Sequence, residues 1–361
     1  MKIRYFTPPQ LIVSPYKFND LLNELGEDWH FAYKGRYCLY HILKALKIKG
    51  PCLVPVYCCS SVLEPFKQLG IPFFFYDIRE DDLNPDLKSI KDCINKYKPD
   101  SLFSVSMYGN PAELDKLEDV CRTNNIKLID DAAQSFGALV NNKHCGYYGD
   151  AGFFSFSPGK PLAGHLGGCF RVNENYTIKY RKHTLLHKLI FKDFIENRCK
   201  KSIKNRSGLS LLVVRIISFL QNILNVKDGG VSKFEEGILY GIYNNSMLIY
   251  TPYRTELAIR LAIEIGDNSK FSILRPYNDV YRKGIAHKYV LIANSKAEAK
   301  RLNEYLHNNE IESQMGYNLL SDDLSNLPHA RSIDGRIVEI PLDPDINAFE
   351  YISEVLKSYI N

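Results

Sequence analysis

The sequence predicts an α/β protein: a large domain with a mostly parallel sheet sandwiched by helices, followed by a smaller α+β C-terminal domain. Three observations predict it. Short apolar runs alternate with amphipathic runs through the first two-fifths of the chain, as parallel strands joined by right-handed crossovers require. A second, shorter strand–helix pattern begins beyond Asn268. The 361 residues exceed what one hydrophobic core usually serves, so two domains sharing a cleft are expected.

The elements follow in order. Cys38 to Ile48 has helical spacing, Pro51 to Tyr57 is a short β-like run, and Ser60 to Leu69 is helical again. Pro72 to Asp77 reads as a buried strand, Leu87 to Tyr97 as a helix, and Ser101 to Tyr108 as a strand. Glu113 to Thr123 is a helix and Ile126 to Asp130 a strand, with further strands at Ala151–Ser157 and Gly168–Val172. From Asn175 to about Asn225 the pattern turns basic, apolar and helical. In the small domain, His287–Ala293 and Ile337–Pro341 are strands, and Ala297–His307 and Phe349–Tyr359 are helices. The large domain is therefore placed at 1–265, with an insertion at about 176–226, and the small domain at 266–361.

Composition bounds the function. Hydrophobic residues are 45% and charged residues 24%, as in a globular protein rather than a disordered one. No apolar stretch reaches the ~20 residues a spanning helix needs. The start, Met1 to Pro9, has no apolar signal region, so a cytoplasmic location is expected. Nine cysteines, an odd number, suit a reducing compartment, and their spacing offers no metal site.

The net charge of +5 is unevenly spread. Ile178 to Arg206 holds ten Lys/Arg against Asp193 and Glu196, a local +8. The basic stretch is thus a local device, and nucleic acid is not an expected partner. Leu209 to Leu224 follows it, apolar but too short to span a bilayer. It suits either a helix packed on the main domain or a dimer partner, or an interfacial element beside anionic lipid.

Ligands in open α/β sheets sit beyond the carboxyl ends of the strands. After Ile126–Asp130 comes Asp131-Ala132-Ala133-Gln134. A second carboxylate at a buried strand end requires a cationic partner, such as a protonated pyridine nitrogen, although Asp131 also suits a helix N-cap. After Ala151–Phe156 comes Ser157-Pro158-Gly159-Lys160-Pro161. A lysine so placed in an apolar segment suits Schiff-base chemistry, though an exposed turn lysine would read the same way. Tyr33-Lys34-Gly35-Arg36-Tyr37 feeds a helix and offers a phosphate site, or an ordinary turn. His183, His187, His287, His307 and His329 show no ligand spacing and read as surface or packing residues.

Together, Asp130-Asp131-Ala132-Ala133-Gln134…Gly137, then Phe154-Ser155-Phe156…Lys160 and Gly167-Gly168, resemble the DegT/StrS-type aminotransferases. Met107-Tyr108-Gly109-Asn110-Pro111 and Pro341-Leu342-Asp343-Pro344 are similar to two further elements of that family. The resemblance implies the fold-type-I architecture and pyridoxal 5'-phosphate as cofactor. It implies that Lys160 carries the cofactor as a Schiff base and acts as general base and acid. It also implies that Asp131 meets the pyridine nitrogen beside Ala133, Gln134 the ring hydroxyl and Ser155 the phosphate, with Gly35, Arg36 and Tyr37 adding phosphate contacts. The implied reaction moves an amino group from glutamate to a nucleotide-linked keto sugar, in surface-glycan or related biosynthesis, in a homodimer.

The chain departs from the family at several positions. His165-Leu166 stand where Gly-Glu is usual, Cys59 stands where an aromatic often stacks on the ring, and Arg36 replaces a threonine. Pro252-Tyr253-Arg254 stands for Asn-Tyr-Arg, leaving Asn244 or Asn245 as substitutes for an asparagine lent by the second subunit. His165 and Tyr57 are the substrate-contact candidates. Two other readings stay open: a sugar dehydratase of the same family, in which histidine replaces the lysine, and a cofactor-fold protein kept for binding or regulation.

Overall fold

The computed structural model describes residues 29–32, 34–157, 159–161, 167–176, 251–342 and 345–361. His165, the basic stretch 178–206, the apolar segment 209–224, Asn244, Asn245, Asp343 and Pro344 lie outside the described residues. The elements run β1 (Trp29–Ala32), α1 (Gly35–Ala45), β2 (Cys52–Pro55), α2 (Leu63–Leu69), β3 (Phe73–Tyr76) and α3 (Leu87–Tyr97). Then come β4 (Ser101–Val105), α4 (Leu114–Thr123), β5 (Lys127–Asp131), β6 (Leu139–Val140), β7 (Lys143–His144), β8 (Ala151–Ser155) and β9 (Gly168–Val172). The later elements are α5 (Thr251–Ile265), β10 (Phe271–Ile273), β11 (Arg282–Lys283), β12 (Lys288–Ala293), α6 (Lys296–Asn308), β13 (Gln314–Met315), α7 (Pro328–Ile333), β14 (Ile337–Pro341) and α8 (Ile346–Ile360).

The main sheet has the order β1-β9-β8-β5-β4-β2-β3. From β8 to β3 all pairs are parallel, while β9 is antiparallel to both β8 and β1. Neighbouring residues face opposite sides, as the two-residue strand period dictates. Val54, Phe103, Ile129 and Phe153 pack with α1 on one side. Leu53, Leu102, Leu128 and Phe154 pack with α3 and α4 on the other. Burial on both faces explains why these strands read as continuous apolar runs. The chain leaves β2 outward to β3 and then returns past β2 to β4. The strand order therefore reverses between β2 and β4, which opens a crevice at their carboxyl ends.

The second sheet, β10-β12-β14-β13, is antiparallel. Tyr289, Leu291, Val338 and Ile340 face a core shared with α5, α6 and α8. Val290, Ile292 and Ile337 face the other way and join the large-domain core. Leu257 and Leu261 of α5 lie in the small-domain core, so residues 251–265, read from the sequence as the end of the large domain, share their burial with the small one. Among the described residues no helix is long and apolar enough to cross a membrane.

Candidate functional site

The carboxyl ends of β5 and β8 and the start of α1 meet at one place. Asp131 ends β5 and is 4% exposed. Its Oδ1 accepts from Ala133 N at 2.8 Å. Burial pushes its carboxyl up to about 6, against the opposing effects of the Ala133 N–H and the nearby Lys160 charge. A buried carboxylate with a single hydrogen-bond donor can take a further cationic partner. Gln134 is 3% exposed, and its Nε2 donates to Met107 Sδ at 3.6 Å. Its Oε1 has no partner among the described residues.

Asp130, one residue earlier, points to the opposite face. Its Oδ2 accepts from Gly146 N at 2.5 Å and Tyr148 N at 3.4 Å. Arg171 donates to the carbonyls of Gly146 and Tyr148 at 3.0 Å each. Burial raises the Asp130 carboxyl to about 7. Asp130 thus secures the hairpin behind the sheet, and Asp131 is the member of the pair on the cleft side.

Ser155 ends β8, buried, with its Oγ 3.3 Å from Ser157 Oγ. A Cβ placed on Gly35 would stand 3.0 Å from Ser155 Cβ and 3.2 Å from its Oγ, so the start of α1 lies directly against this serine. No side chain caps the first turn of α1, and no acid lies in it. Its amides and positive dipole end therefore face Ser155 ready for an anion. Gly35–Tyr37 is the first turn of this helix rather than a loop. Arg36 sends Nη1 to Glu64, 2.5 Å from Oε1, and Tyr37 packs into the core. Both side chains therefore have engagements other than the anion site.

Lys160 is half-buried in the connection from β8 to β9, its N–H donating to Ser157 O at 3.2 Å. Its charge acts on Asp131 and Cys58 of the large domain and on His287 and Lys288 of the small one. Tyr57 is 1% exposed and its hydroxyl is engaged within the protein. Its hydroxyl lies 2.8 Å from Tyr108 Oη and accepts from Tyr317 N at 3.3 Å. Burial of this kind makes Tyr57 a wall between domains.

Two features escape the sequence reading. His287, taken there as a packing residue, is 8% exposed, and its Nδ1 has no partner among the described residues. Burial, then the charges of Lys288, Lys160 and Arg254, hold its pKa well below the usual range, so it is neutral. The second feature is the buried pair Lys288–Glu339 on the small-sheet face toward the large domain. A lysine and a glutamate on the otherwise apolar face of Val290, Ile292 and Ile337 are the signal that could have revealed it.

The resemblance read from Asp130 to Gly168 is borne out: residues 35–192 match the model of the DegT/DnrJ/EryC1/StrS aminotransferase family. A GDP-4-keto-6-deoxy-D-mannose 3-dehydratase of Yersinia pseudotuberculosis is 32% identical over 117 residues, 32% of this chain and 30% of that protein. A GDP-perosamine synthase of Vibrio cholerae is 29% identical over 126 residues, 35% of this chain and 34% of that one. The chain thus spans about a third of the length of the curated relatives it matches. Among solved structures, Helicobacter pylori PseC, an aminotransferase of pseudoaminic acid biosynthesis, superposes with a TM-score of 0.74 at 14% identity, over 100% of this chain and 99% of that one. The PLP-form of the putative sugar aminotransferase Spr1654 of Streptococcus pneumoniae gives 0.73 at 16% identity, over 99% and 98%. These likenesses establish the fold.

Proposed function

We propose that this chain, whose residues 35–192 match that aminotransferase family, is a pyridoxal-phosphate-dependent aminotransferase acting on a nucleotide-linked keto sugar. The single observation that carries the reading is that Asp131 and Ser155 end adjacent strands, with Ser155 against the open start of α1 and Lys160 within electrostatic reach of Asp131.

The residues fit the cofactor. Asp131 offers a buried carboxylate that can take a cation, which the ring nitrogen supplies. Gln134 has an unspent Oε1 for the ring hydroxyl group. Ser155 and the first-turn amides of α1 form an anion seat of the right chemistry for the phosphate. When bound, pyridoxal phosphate supplies a carbonyl that condenses with amines and a ring that accepts electrons. Lys160 Nζ is the amine that would hold that carbonyl and, once displaced by the incoming amine, would move the proton at the amine-bearing carbon. Asp131 would keep the ring nitrogen charged throughout. Glutamate is the donor in this reading.

The dehydratase reading has one observation in its favour, the likeness to GDP-4-keto-6-deoxy-D-mannose 3-dehydratases. Lys160 favours transamination, because an amine is needed at that position. The test is direct. The chain incubated with pyridoxal phosphate should turn yellow, and glutamate should shift the absorbance band. Amino sugars should then be formed from nucleotide-linked keto sugars. Deoxygenation of the sugar without amine transfer would move the assignment to the dehydratase.

Two further parts belong to the same proposal. The enzyme works as a homodimer, in keeping with the closed two-fold symmetry usual for oligomeric enzymes. Light scattering showing an active monomer would refute this. Residues 178–224 bring it to the inner surface of an anionic membrane. Sedimentation with anionic vesicles, but not neutral ones, weakened by salt and lost when Lys200, Lys201 and Lys204 become Glu, is the expected result.

A further inference from the structure

A buried polar chain crosses the domain junction next to the crevice. Glu339, 1% exposed at the centre of β14, accepts from Tyr108 Oη at 2.6 Å, from Gln314 Nε2 at 2.6 Å and from Lys288 Nζ. Tyr108 Oη also lies 2.8 Å from Tyr57 Oη, and Tyr317 stacks on the Tyr108 ring with centroids 6.3 Å apart.

Tyr108 has an unusual backbone. Its φ is 53°, in the left-handed region that residues other than glycine adopt only under constraint. Gly109 follows at φ 87°, where a Cβ would fall 1.9 Å from the carbonyl oxygen of Ile285. The Gly109 carbonyl accepts from Ile285 N at 3.0 Å, and the Asn110 side chain bridges Arg275 O and Tyr277 N at 2.9 Å each. The small domain therefore grips residues 108–110 from three sides.

The same segment touches the ring end of the site. Ser106 N donates to Asp131 O at 3.3 Å, and Met107 Sδ accepts from Gln134 Nε2. Met107 N in turn donates to Asn84 Oδ1 at 2.9 Å. No other described side chain engages Gln134 by a hydrogen bond, so Met107 is the polar contact through which this segment reaches that amide.

We propose that Tyr108 is a positioning residue. Clamped in its left-handed conformation by the Lys288–Glu339 pair, it fixes segment 106–109 and thereby the seat that Asp131 and Gln134 offer to the cofactor ring. This rests on the cofactor reading above, and the clamp itself is testable without it. The small domain then does more than close the cleft: it sets the geometry of a ring site built wholly on the large domain.

The experiment compares the wild type with Tyr108→Phe, Lys288→Met/Glu339→Leu and Lys288→Met/Glu339→Gln. The Met/Leu variant replaces the pair by apolar groups, so no charge is stranded. The Met/Gln variant keeps an acceptor for Tyr108. Circular dichroism verifies folding. If the Met/Leu variant does not fold, Tyr108→Phe, which removes one hydroxyl, carries the test.

In the cofactor-free chain, amide exchange at 106–110 and 132–135 should be about tenfold faster in Tyr108→Phe and Met/Leu than in wild type, the worth of one buried hydrogen bond, and α1 should be unchanged. With pyridoxal phosphate, the dissociation constant should rise about tenfold in the same two variants, and the pH midpoint of the bound absorbance band should move. Met/Gln should restore both readouts. Wild-type exchange and affinity in Tyr108→Phe would overturn the proposal. A wild type that binds no pyridoxal phosphate would instead overturn the cofactor reading, while the exchange measurement still decides the clamp.

Discussion

Two aspartates stand at the carboxyl ends of two parallel strands, and their surroundings differ. Asp77 follows β3, and its carboxylate is spent on the fold. Oδ1 accepts from Ile78 N at 3.0 Å and Ala330 N at 2.8 Å, and Oδ2 from His329 N at 2.9 Å. It caps the short helix α7 and so ties the domains together. Asp131 ends β5 with one protein donor, Ala133 N, and a lysine within electrostatic reach. Asp77 is therefore part of the frame, while Asp131, on the cleft side with a single donor, has capacity left for a ligand. The difference between the two strand ends locates the chemistry better than burial, which is nearly equal at 2% and 4%.

The harshest way to break this comparison is to remove the amine that Asp131 faces. Lys160→Arg should cut turnover at least about 10⁴-fold while leaving the melting temperature within a few degrees. Borohydride reduction and peptide mapping should put the cofactor label on Lys160. A label on Lys34, Lys143 or Lys288 would sink the assignment.

The comparison itself is tested by the matched pair Asp131→Asn and Asp77→Asn. The first should lower kcat about 10²- to 10³-fold, because it removes the partner of a buried ring cation, with little change in stability. The second should lose about 1–3 kcal/mol of stability in denaturant titrations with kcat intact, because it weakens a satisfied cap. The reverse outcome would mean that the two roles have been exchanged. Asp130→Asn dead with Asp131→Asn active would mean a register error of one residue.

Ser155→Ala should be milder. Loss of one donor to the phosphate should weaken pyridoxal phosphate binding about tenfold, read by equilibrium dialysis, with kcat at saturating cofactor nearly unchanged.

The smallest effect is a pH dependence. Burial raises the carboxyls of Asp131 to about 6 and Asp130 to about 7, above their unfolded values. Between the unfolded and folded pKa values the native chain holds more protons than the unfolded one. These groups therefore make the cofactor-free chain less stable as pH rises through that window. Melting curves from pH 4 to about 7.5 should show the decline. Asp131→Asn should remove the part due to Asp131 and leave that due to Asp130, and pyridoxal phosphate, by placing a cation at Asp131, should reduce it. A rise in stability over the same window would contradict the assignment.

Much of this was legible in the sequence, for definable reasons. Parallel strands buried on both faces give uninterrupted apolar runs, so β2, β4, β5 and β8 could be read directly. The span from Asp131 to Lys160 is local along the chain, and its residue types are unusual enough to stand out. Roles set by partners distant in sequence were not legible. Arg36 meets Glu64, and nothing in Gly35-Arg36-Tyr37 tells that its guanidinium turns away. Tyr57 was a substrate candidate until Tyr108 and Tyr317 closed over it. His287 read as packing because its surroundings, Lys160 and Arg254, come from other elements. β1 was missed because its four residues pair with β9 across a long separation in sequence.

Trp29 lies on that overlooked strand, and it is the chain's one tryptophan. Its indole stacks on the Phe154 ring, centroids 4.9 Å apart and planes inclined by 13°, one residue before Ser155. All indole emission from this protein therefore originates on the face of the sheet opposite Ser155, one residue away from it along β8. A ligand that absorbs where indole emits would quench it by energy transfer, and pyridoxal phosphate has that property when joined to an amine. Loading of the site can thus be followed by fluorescence, without an added label and before any sugar substrate is known.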